Sequence, residues 1–413
     1  MVMKSHYDLA QQRLKREQLY NKIPCFLPDT EDHEYALYDV MPITEERVSA
    51  LRLASERITA IFFKVTALLQ TVHPNVLCDM GYPIETINFV RMKTLPVPTV
   101  IARIDLIPSG NSFKCIEINA DTSTFLKEAY SVNGAVCEHF GLRDPNEGLL
   151  SYLEKAVNLA VRTNKYASFP NIVFTACANS REDVHTTLLL QDSVGGARFV
   201  PFEQLKIVKG EGVYDDTGKK VDILYRPTGF IEYMLKEKDS EKNPIGLWLI
   251  ELVLSKKLFI INPPSAFLME NKAVMSVIWG LHEENAFFTE EEHEWIEEYF
   301  LPSYLEADTF LANNEPYVEK SIFASEGATV KILDGKGNTL AQSKHENPSE
   351  YLLFYQKYVE QPKVTIQTNQ GEQEVHYLFC SFIINGTVGA IGCRADATLT
   401  ENDAFFLPIG IKS

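Results

Sequence analysis

The stretch ARIDLIPSGNSFKCIEINADTST, residues 102–124, holds the pattern on which the fold of this chain depends. Two apolar runs flank a group of turn-forming residues, which predicts a β-hairpin with strands near 97–107 and 113–119. Side chains two positions apart in a strand lie on one face, so Arg103 and Asp105 point the same way. Glu117 and Asn119 form a second such pair. The apolar residues between them are expected to fill the buried face: Ile104, Leu106, Ile116 and Ile118.

The register of the hairpin follows from the length of its loop. Residues directly opposite each other in an antiparallel pair share a face. A five-residue loop over 108–112 would pair Ile107 with Phe113. We therefore expect Arg103 to lie directly opposite Glu117.

Two carboxylates and one amide oxygen on one face form a hard oxygen-donor set: Asp105, Glu117 and Asn119. Such a set suits Mg²⁺, which keeps some waters and takes further ligands from phosphates. Arg103 beside it could hold a transferring phosphoryl group or a developing oxyanion. From the hairpin alone, a surface Arg–Glu cross-strand pair explains the pattern equally well.

The remaining patterns indicate several packed units, as 413 residues require. Helical spacing predominates over 1–95, and helices are expected after the hairpin to about 165. Strands alternating with helices over 169–262 indicate a small α/β unit. Residues 317–410 read mostly as strands, with a tight turn at 334–337.

Composition excludes several classes of function. A net charge of −17 argues against a nucleic-acid surface and is compatible with a cationic small substrate. Seven cysteines without a CxxC pair argue against a disulfide framework and a zinc site. The sequence has no P-loop, GxGxxG, GxSxG or HExxH motif. No segment reads as a signal peptide or membrane span, so we expect a cytoplasmic protein without membrane binding.

The RxD pair and the ExNADTxT segment, residues 103–124, resemble the synthetase domain of glutathionylspermidine synthase, a circularly permuted member of the ATP-grasp superfamily. Further segments resemble this family in the same order over nearly the whole chain: 221–226, 271–273, 317–320, 326–330, 355–356, 392–394 and 406–408. The resemblance implies a mixed α/β (α+β) fold of the ATP-grasp type. It would comprise an N-terminal helical region (1–95), the hairpin and following helices as part of the ATP-grasp (96–168), a preATP-grasp-like α/β domain (169–262), and a nucleotide-binding and lid region (263–413).

The resemblance also implies a role for individual residues. Three would bind Mg²⁺: Asp105, Glu117 and Asn119. Four would contact ATP, the lysines as point charges on phosphates, the glutamine near the adenine and the glycine through its backbone: Lys272, Lys320, Gln356 and Gly327. Four would lie near the transferred phosphoryl group and the reacting centre: Arg103, Arg394, Thr122 and Thr124.

Structural explanations stay open for single members of this set. Lys272 could be a surface lysine at a helix start, and Lys320 an edge-strand lysine. Arg394 could be an ion-pair partner, and Thr122 could cap the following helix. The chain also departs from the family pattern: Ser321 stands where a proline is usual, and Ala324-Ser325 replaces a glycine and an arginine of the loop.

Together these features predict an ATP-dependent carboxylate–amine ligase that forms an amide through an acyl phosphate. Its substrates would be a small acid (peptide-like or an amino acid) and an amine (a polyamine or an amino acid), with ATP and Mg²⁺. The alternative is a non-catalytic ATP-binding protein that retains the ATP-grasp fold.

Overall fold

The computed structural model describes residues 6–30, 33–163, 169–226, 231–323, 329–343, 352–397 and 404–412. Before the hairpin the elements are α1 (His6–Tyr20), β1 (Met41–Ile43), α2 (Glu45–Leu69), α3 (Pro74–Asp79), a 3₁₀ turn (Ile84–Thr86) and α4 (Ile87–Val90). Helix α2 begins where the sequence predicts, because the Thr44 side chain accepts the backbone N–H of Arg47. Its apolar residues Leu51, Ile58 and Phe62 recur at helical spacing and are fully buried.

The hairpin and the helices after it follow as expected. Their bounds are β2 (Ile101–Ser109), β3 (Ser112–Asn119), a π-helical turn (Glu128–Val132), α5 (Asn133–Phe140) and α6 (Leu149–Thr163). Helix α2 packs against β3. The side chains of Ile104, Leu106 and Ile118 join the apolar cluster that α2 helps to form. The hairpin is therefore fixed by its apolar face.

Strands and helices alternate in the next part of the chain. Its elements are β4 (Ile172–Phe174), α7 (Arg181–Gln191), β5 (Arg198–Phe199), a 3₁₀ turn (Phe202–Gln204), β6 (Lys206–Val208), β7 (Gly212–Tyr214), β8 (Lys220–Val221), β9 (Ile223–Tyr225), α8 (Ile231–Lys236), α9 (Ile245–Leu254) and β10 (Phe259–Ile261). A four-stranded parallel sheet has the order β10-β9-β4-β5, and a small antiparallel sheet has the order β6-β7-β8. Parallel strands joined by helices are the arrangement that the alternating pattern predicts.

The remainder contributes two larger sheets. Its elements are α10 (Ser265–Glu270), α11 (Ala273–Glu283), α12 (Glu290–Tyr299), β11 (Ser303–Tyr304), α13 (Asp308–Asn313), β12 (Tyr317–Ser321), β13 (Lys331–Leu333), β14 (Thr339–Gln342), β15 (Leu353–Lys357), β16 (Lys363–Thr368), β17 (Gly371–Ile384), β18 (Thr387–Asp396), β19 (Phe405–Phe406) and β20 (Ile409–Ile411). The sheet that contains the hairpin is six-stranded, with the order β19-β18-β17-β2-β3 and with β16 also paired to β17. The second sheet has five strands in the order β11-β15-β12-β13-β14.

The hairpin therefore lies in a sheet completed by strands from the far end of the sequence. Strand β17 is paired along β2, and β1 forms a parallel pair with β20. Within the described ranges, no helix combines the length and the apolar character needed to cross a bilayer.

Candidate active site

The hairpin register differs from the prediction. The strands extend to Ser109 and from Ser112, so the loop is Gly110-Asn111 rather than five residues. Gly110 has φ 58°, a conformation that a residue without Cβ adopts readily. Arg103 lies opposite Asn119, and Asp105 opposite Glu117. The predicted pairing of Arg103 with Glu117 is therefore wrong.

A β-bulge explains why the four polar side chains still share a face. Leu106 is paired with Cys115, but the next pair is Asp105 with Glu117, so Ile116 is an extra residue. Without the bulge, a two-residue loop would place Asp105 opposite Ile116 and turn the acidic residues to different faces. Ile116 is correspondingly half-buried and packs with a second apolar cluster, not with Ile104 and Leu106 as expected.

Arg103 and Asp105 form a buried, two-pronged ion pair. Arg103 Nε lies 2.7 Å from Asp105 Oδ1, and Nη2 lies 3.0 Å from Oδ2. Arg103 Nη1 donates to the hydroxyl and the carbonyl of Thr124, at 3.2 and 3.3 Å. Burial alone would lower the pKa of Arg103, but the neighbouring groups, Asp105 foremost and Glu117 with it, together outweigh burial and raise the pKa. The guanidinium is thus a fixed cation beside the hairpin carboxylates.

Glu117 is the carboxylate on which cations from other elements converge. Lys272, directly before α11, places Nζ 3.5 Å from Glu117 Oε2, and Asn119 Nδ2 lies 3.4 Å from Oε1. Burial raises the pKa of Glu117, but the charges of Lys272, Lys320 and Arg103 more than offset it and lower the pKa to about 2. Glu117 is therefore ionised at neutral pH.

The second large sheet contributes Lys320 and Gln356. Val318 is directly opposite Gln356, so Lys320 on β12 and Gln356 on β15 are diagonal neighbours on one face. Lys320 Nζ donates to Gln356 Oε1 at 3.3 Å and to the carbonyl of Ile116, in the hairpin, at 3.2 Å. Burial lowers the pKa of Lys320 to about 8; Glu117 opposes this shift and Lys272 adds to it. A bound anion would stabilise the charged form of this buried lysine, which also lies near a second cation.

Arg394, Thr122 and Gly327 complete the predicted set. Asp105 and Gly392 are both opposite Cys380 in the six-stranded sheet, which puts Arg394, two residues from Gly392, on the Asp105 face. Gly327 and the rest of 324–328 lie outside the described residues.

Thr122 does not cap the helix that follows it. Its hydroxyl is buried and has no hydrogen-bond partner in the described structure, and helical geometry begins only at Leu126. Thr124 accepts its bond from Arg103 instead. The capping explanation for Thr122 is therefore wrong.

The donor set has the chemistry that Mg²⁺ requires. Asp105 and Glu117 are opposed carboxylates on one face, where like charges repel unless a cation lies between or beside them. Asn119 donates a hydrogen bond to Glu117 through Nδ2, so its amide oxygen is the atom that could coordinate a metal ion. The described residues contain no group of three or more His, Cys, Asp or Glu side chains that could hold a metal ion by themselves. An ion here would need phosphate or water oxygens as further ligands.

Three residues at the end of the hairpin were missed by sequence reasoning. Glu270 Oε2 accepts the backbone N–H groups of Ala120 and Asp121. Arg226 Nη2 lies 2.7 Å from Asp121 Oδ2, and both side chains are buried. Asn262 binds the carbonyls of Ala120 and Asp121. Arg226 ends the 221–226 segment that resembles the family, although no role was predicted for it. The signals for the other two were positional: Glu270 precedes the 271–273 motif, and Asn262 follows a buried strand.

These features define the class of protein. In this mixed α/β chain, Lys320 from a strand of one sheet and Lys272 from directly before α11 approach the acidic hairpin of another sheet, as expected for a fold of the ATP-grasp type. A family model described as glutathionylspermidine synthase preATP-grasp matches residues 11–412. The chain belongs to this family.

One protein of known sequence and one solved structure are similar to this chain. A Haemophilus influenzae protein named as an acid–amine ligase is 25% identical over 321 residues, covering 75% of this chain and 74% of that protein. The solved structure of a glutathione synthetase-like effector from Globodera pallida, in its apo form, aligns with a TM-score of 0.58 and 10% identity. That alignment covers 99% of this chain and 98% of the other, and at this identity it shows a shared fold alone.

These similarities test the predicted family, fold class and enzyme class. The expected family and fold class are confirmed. So is the enzyme class, a ligase that forms carbon–nitrogen bonds, of the glutathionylspermidine synthase type. The predicted domain boundaries and the role of each site residue stay predictions.

Proposed function

We propose that this protein is an ATP-dependent ligase that activates a substrate carboxylate as an acyl phosphate and joins it to an amine. The observation that supports this most is the convergence on Glu117: a hairpin carboxylate meets Lys272 from before α11 and lies near Lys320 from the second sheet. A triphosphate with its Mg²⁺ matches such a mixed cluster of anions and cations. The substrates we propose are a small peptide-like or amino acid and a polyamine or amino acid.

Each residue has a part in binding the nucleotide. Asp105, Glu117 and Asn119 would hold Mg²⁺, which when bound offsets negative charge on the phosphate oxygens. Lys272 and Lys320 would contact phosphates as point charges. Gln356 already accepts from Lys320 and would lie beside the adenine. Gly327 would let the backbone of its loop approach the phosphates.

The remaining residues would act on the reacting groups. Arg103 binds Asp105 through Nε and Nη2 and Thr124 through Nη1. These bonds fix the guanidinium, so that its charge is positioned for the transferred phosphoryl group. Arg394 would offset charge on the acyl phosphate from the same face. When the amine attacks the acyl carbon, an amide forms and phosphate leaves. The Thr122 and Thr124 hydroxyls would orient the acyl group.

The reaction is tested by phosphate release from ATP and Mg²⁺ with a panel of acids and amines. Release that requires both an acid and an amine supports the ligase. Glu117→Gln should abolish release while the circular dichroism spectrum stays unchanged. Glu294→Gln, on the exposed face of α12, is the matched control and should keep the wild-type rate.

The alternative, a non-catalytic ATP-binding protein, has its own outcome in the same assay. It is supported if calorimetry shows Mg-ATP binding while no acid–amine combination releases phosphate. Wild-type phosphate release by Glu117→Gln would refute the metal assignment.

A further inference from the structure

The backbone at the end of β3 is held from two directions. Asn262 Nδ2 donates to the carbonyls of Ala120 and Asp121, at 3.2 and 2.8 Å. Its Oδ1 accepts the N–H groups of Val100 and Ile101, both at 3.0 Å. The amide thus ties the end of the hairpin to its beginning. Asn262 is buried, so these bonds are shielded from water.

Glu270 binds the same two residues through their N–H groups. Its Oε2 lies 2.5 Å from Ala120 N and 2.8 Å from Asp121 N. With Asn262 on the carbonyls, the polar backbone groups of both residues are satisfied by side chains from outside the hairpin. Thr122 and Thr124 follow directly, so their placement depends on these bonds.

Glu270 is also joined to the lysine that approaches Glu117. Asn271, the next residue, donates to the Met80 carbonyl at 2.9 Å and accepts the backbone N–H of Ala273, the first residue of α11, at 2.8 Å. Lys272 donates its backbone N–H to Ile322, just after β12, at 3.0 Å. The segment 270–272 therefore contacts the end of the hairpin on one side and the second sheet on the other.

We infer that Glu270 is a positioning residue that couples the 120–124 segment to Lys272, so that nucleotide binding orders the threonines near the acid substrate. The inference rests on the proposed function and deepens it. Glu270 acts through the backbone of Ala120 and Asp121 and need not touch a substrate. One oxygen accepts both bonds, and the amide oxygen of a glutamine can do the same.

A competing role would need the negative charge itself. If Glu270 bound the ammonium group of the amine or took its proton, glutamine would fail as badly as alanine. Glu270→Gln and Glu270→Ala therefore separate positioning from charge. The two variants can be compared before the amine is identified.

Hydrogen exchange gives a readout independent of activity. In Glu270→Ala, a peptide covering 118–124 should exchange about tenfold faster than in the wild type, because two backbone bonds are lost. Glu270→Gln should exchange at the wild-type rate. Equal exchange in all three proteins, or equal loss in both variants, overturns the inference.

Coupling is tested by adding the non-hydrolysable analogue AMP-PNP with Mg²⁺. In the wild type and Glu270→Gln, it should slow exchange in both 120–124 and 270–274; Asn119 is left out because it would hold the Mg²⁺ directly. In Glu270→Ala, it should slow 270–274 and leave 120–124 unchanged. Slowing of 120–124 in the alanine variant would overturn the inference. If AMP-PNP changes neither segment in the wild type, the proposed ATP site fails, while the exchange rates without nucleotide still test the positioning role.

Kinetics provide a further check once an acid substrate is identified. Glu270→Ala should raise the KM for the acid about tenfold or more and leave the dissociation constant for Mg-AMP-PNP within about threefold. Glu270→Gln should restore the KM. A kcat loss of equal size in both variants would point to a charge role and contradict positioning.

Discussion

Arg103 binds both carboxylate oxygens of Asp105, two residues further along the same strand, and does so in a buried setting where the two side chains are 5% and 2% exposed. The pair joins a cation for the proposed phosphoryl transfer to a carboxylate of the proposed metal set. Its strength therefore bears on stability as well as on chemistry.

Removing one member of this pair should destabilise the protein. Arg103→Met leaves Asp105 buried without its counter-charge, at an expected cost of about 3–5 kcal/mol in the free energy of unfolding. Urea denaturation measures it. The double variant Arg103→Met/Asp105→Leu should recover much of the loss, because no charge is then left unpaired. A loss below about 1 kcal/mol in the single variant would contradict the assignment of a dry ion pair.

Lys320 should make nucleotide binding depend on pH. Its pKa of about 8 in the free protein lies below the usual value, and bound phosphates would raise it again. Between about pH 8 and pH 10 the free lysine is neutral and the bound one charged, so binding takes up about one proton and weakens as pH rises. Calorimetry in buffers of different ionisation enthalpy counts that proton. Lys320→Arg, which stays charged, should show no uptake; equal uptake in both proteins would assign the proton to another group.

Thr122 should trade stability for activity. Its buried hydroxyl has no partner in the described structure, so Thr122→Val should stabilise the protein by up to about 1 kcal/mol while turnover falls. Thr187→Val, in α7, is the matched control because that hydroxyl is likewise buried and unpartnered. It should raise the melting temperature without changing turnover. Full activity in Thr122→Val would remove Thr122 from the site.

Two helical glycines should respond to alanine with opposite signs. A Cβ on Gly246, in α9, would lie 1.6 Å from the carbonyl oxygen of Met234. Gly246→Ala should therefore cost more than about 2 kcal/mol. Gly280, in α11, has open space around that position, so Gly280→Ala should add about 0.5–1 kcal/mol. Thermal unfolding measures both changes, and the Gly246 variant checks the packing of α8 against α9.

The sequence predicted which hairpin residues share a face but not how they are paired. Alternation along each strand is local, and it placed Arg103, Asp105, Glu117 and Asn119 together. The register depends on the loop length and on the bulge, and the residue types around Ile116 do not indicate that a bulge is present. An apolar residue at 116 is compatible with a regular pairing and with a bulge, because apolar clusters lie on both faces of the hairpin.

Contacts between segments far apart in the sequence could not be predicted from local residue patterns. The Lys320–Gln356 bond depends on how β12 and β15 are paired, and the Glu270 bonds depend on where α10 ends relative to β3. Resemblance supplied Lys320 and Gln356 because their motifs are recognisable. Glu270 and Asn262 act on backbone groups and belong to none of the recognised motifs, and Arg226 ends the 221–226 motif, which by itself does not reveal its ion pair with the buried Asp121.

The pairing of β2 with β17 bears on how the protein is made. Asp105 lies beside Cys380, so the acidic hairpin cannot take its place in the sheet until residues near 380 have left the ribosome. Closing so long a loop is slow, and an unpaired β2 edge would meanwhile be exposed to other chains. We therefore expect the α/β unit of β4, β9 and β10 to fold during synthesis, and the six-stranded sheet that holds the hairpin to assemble afterwards as the slow step of biogenesis.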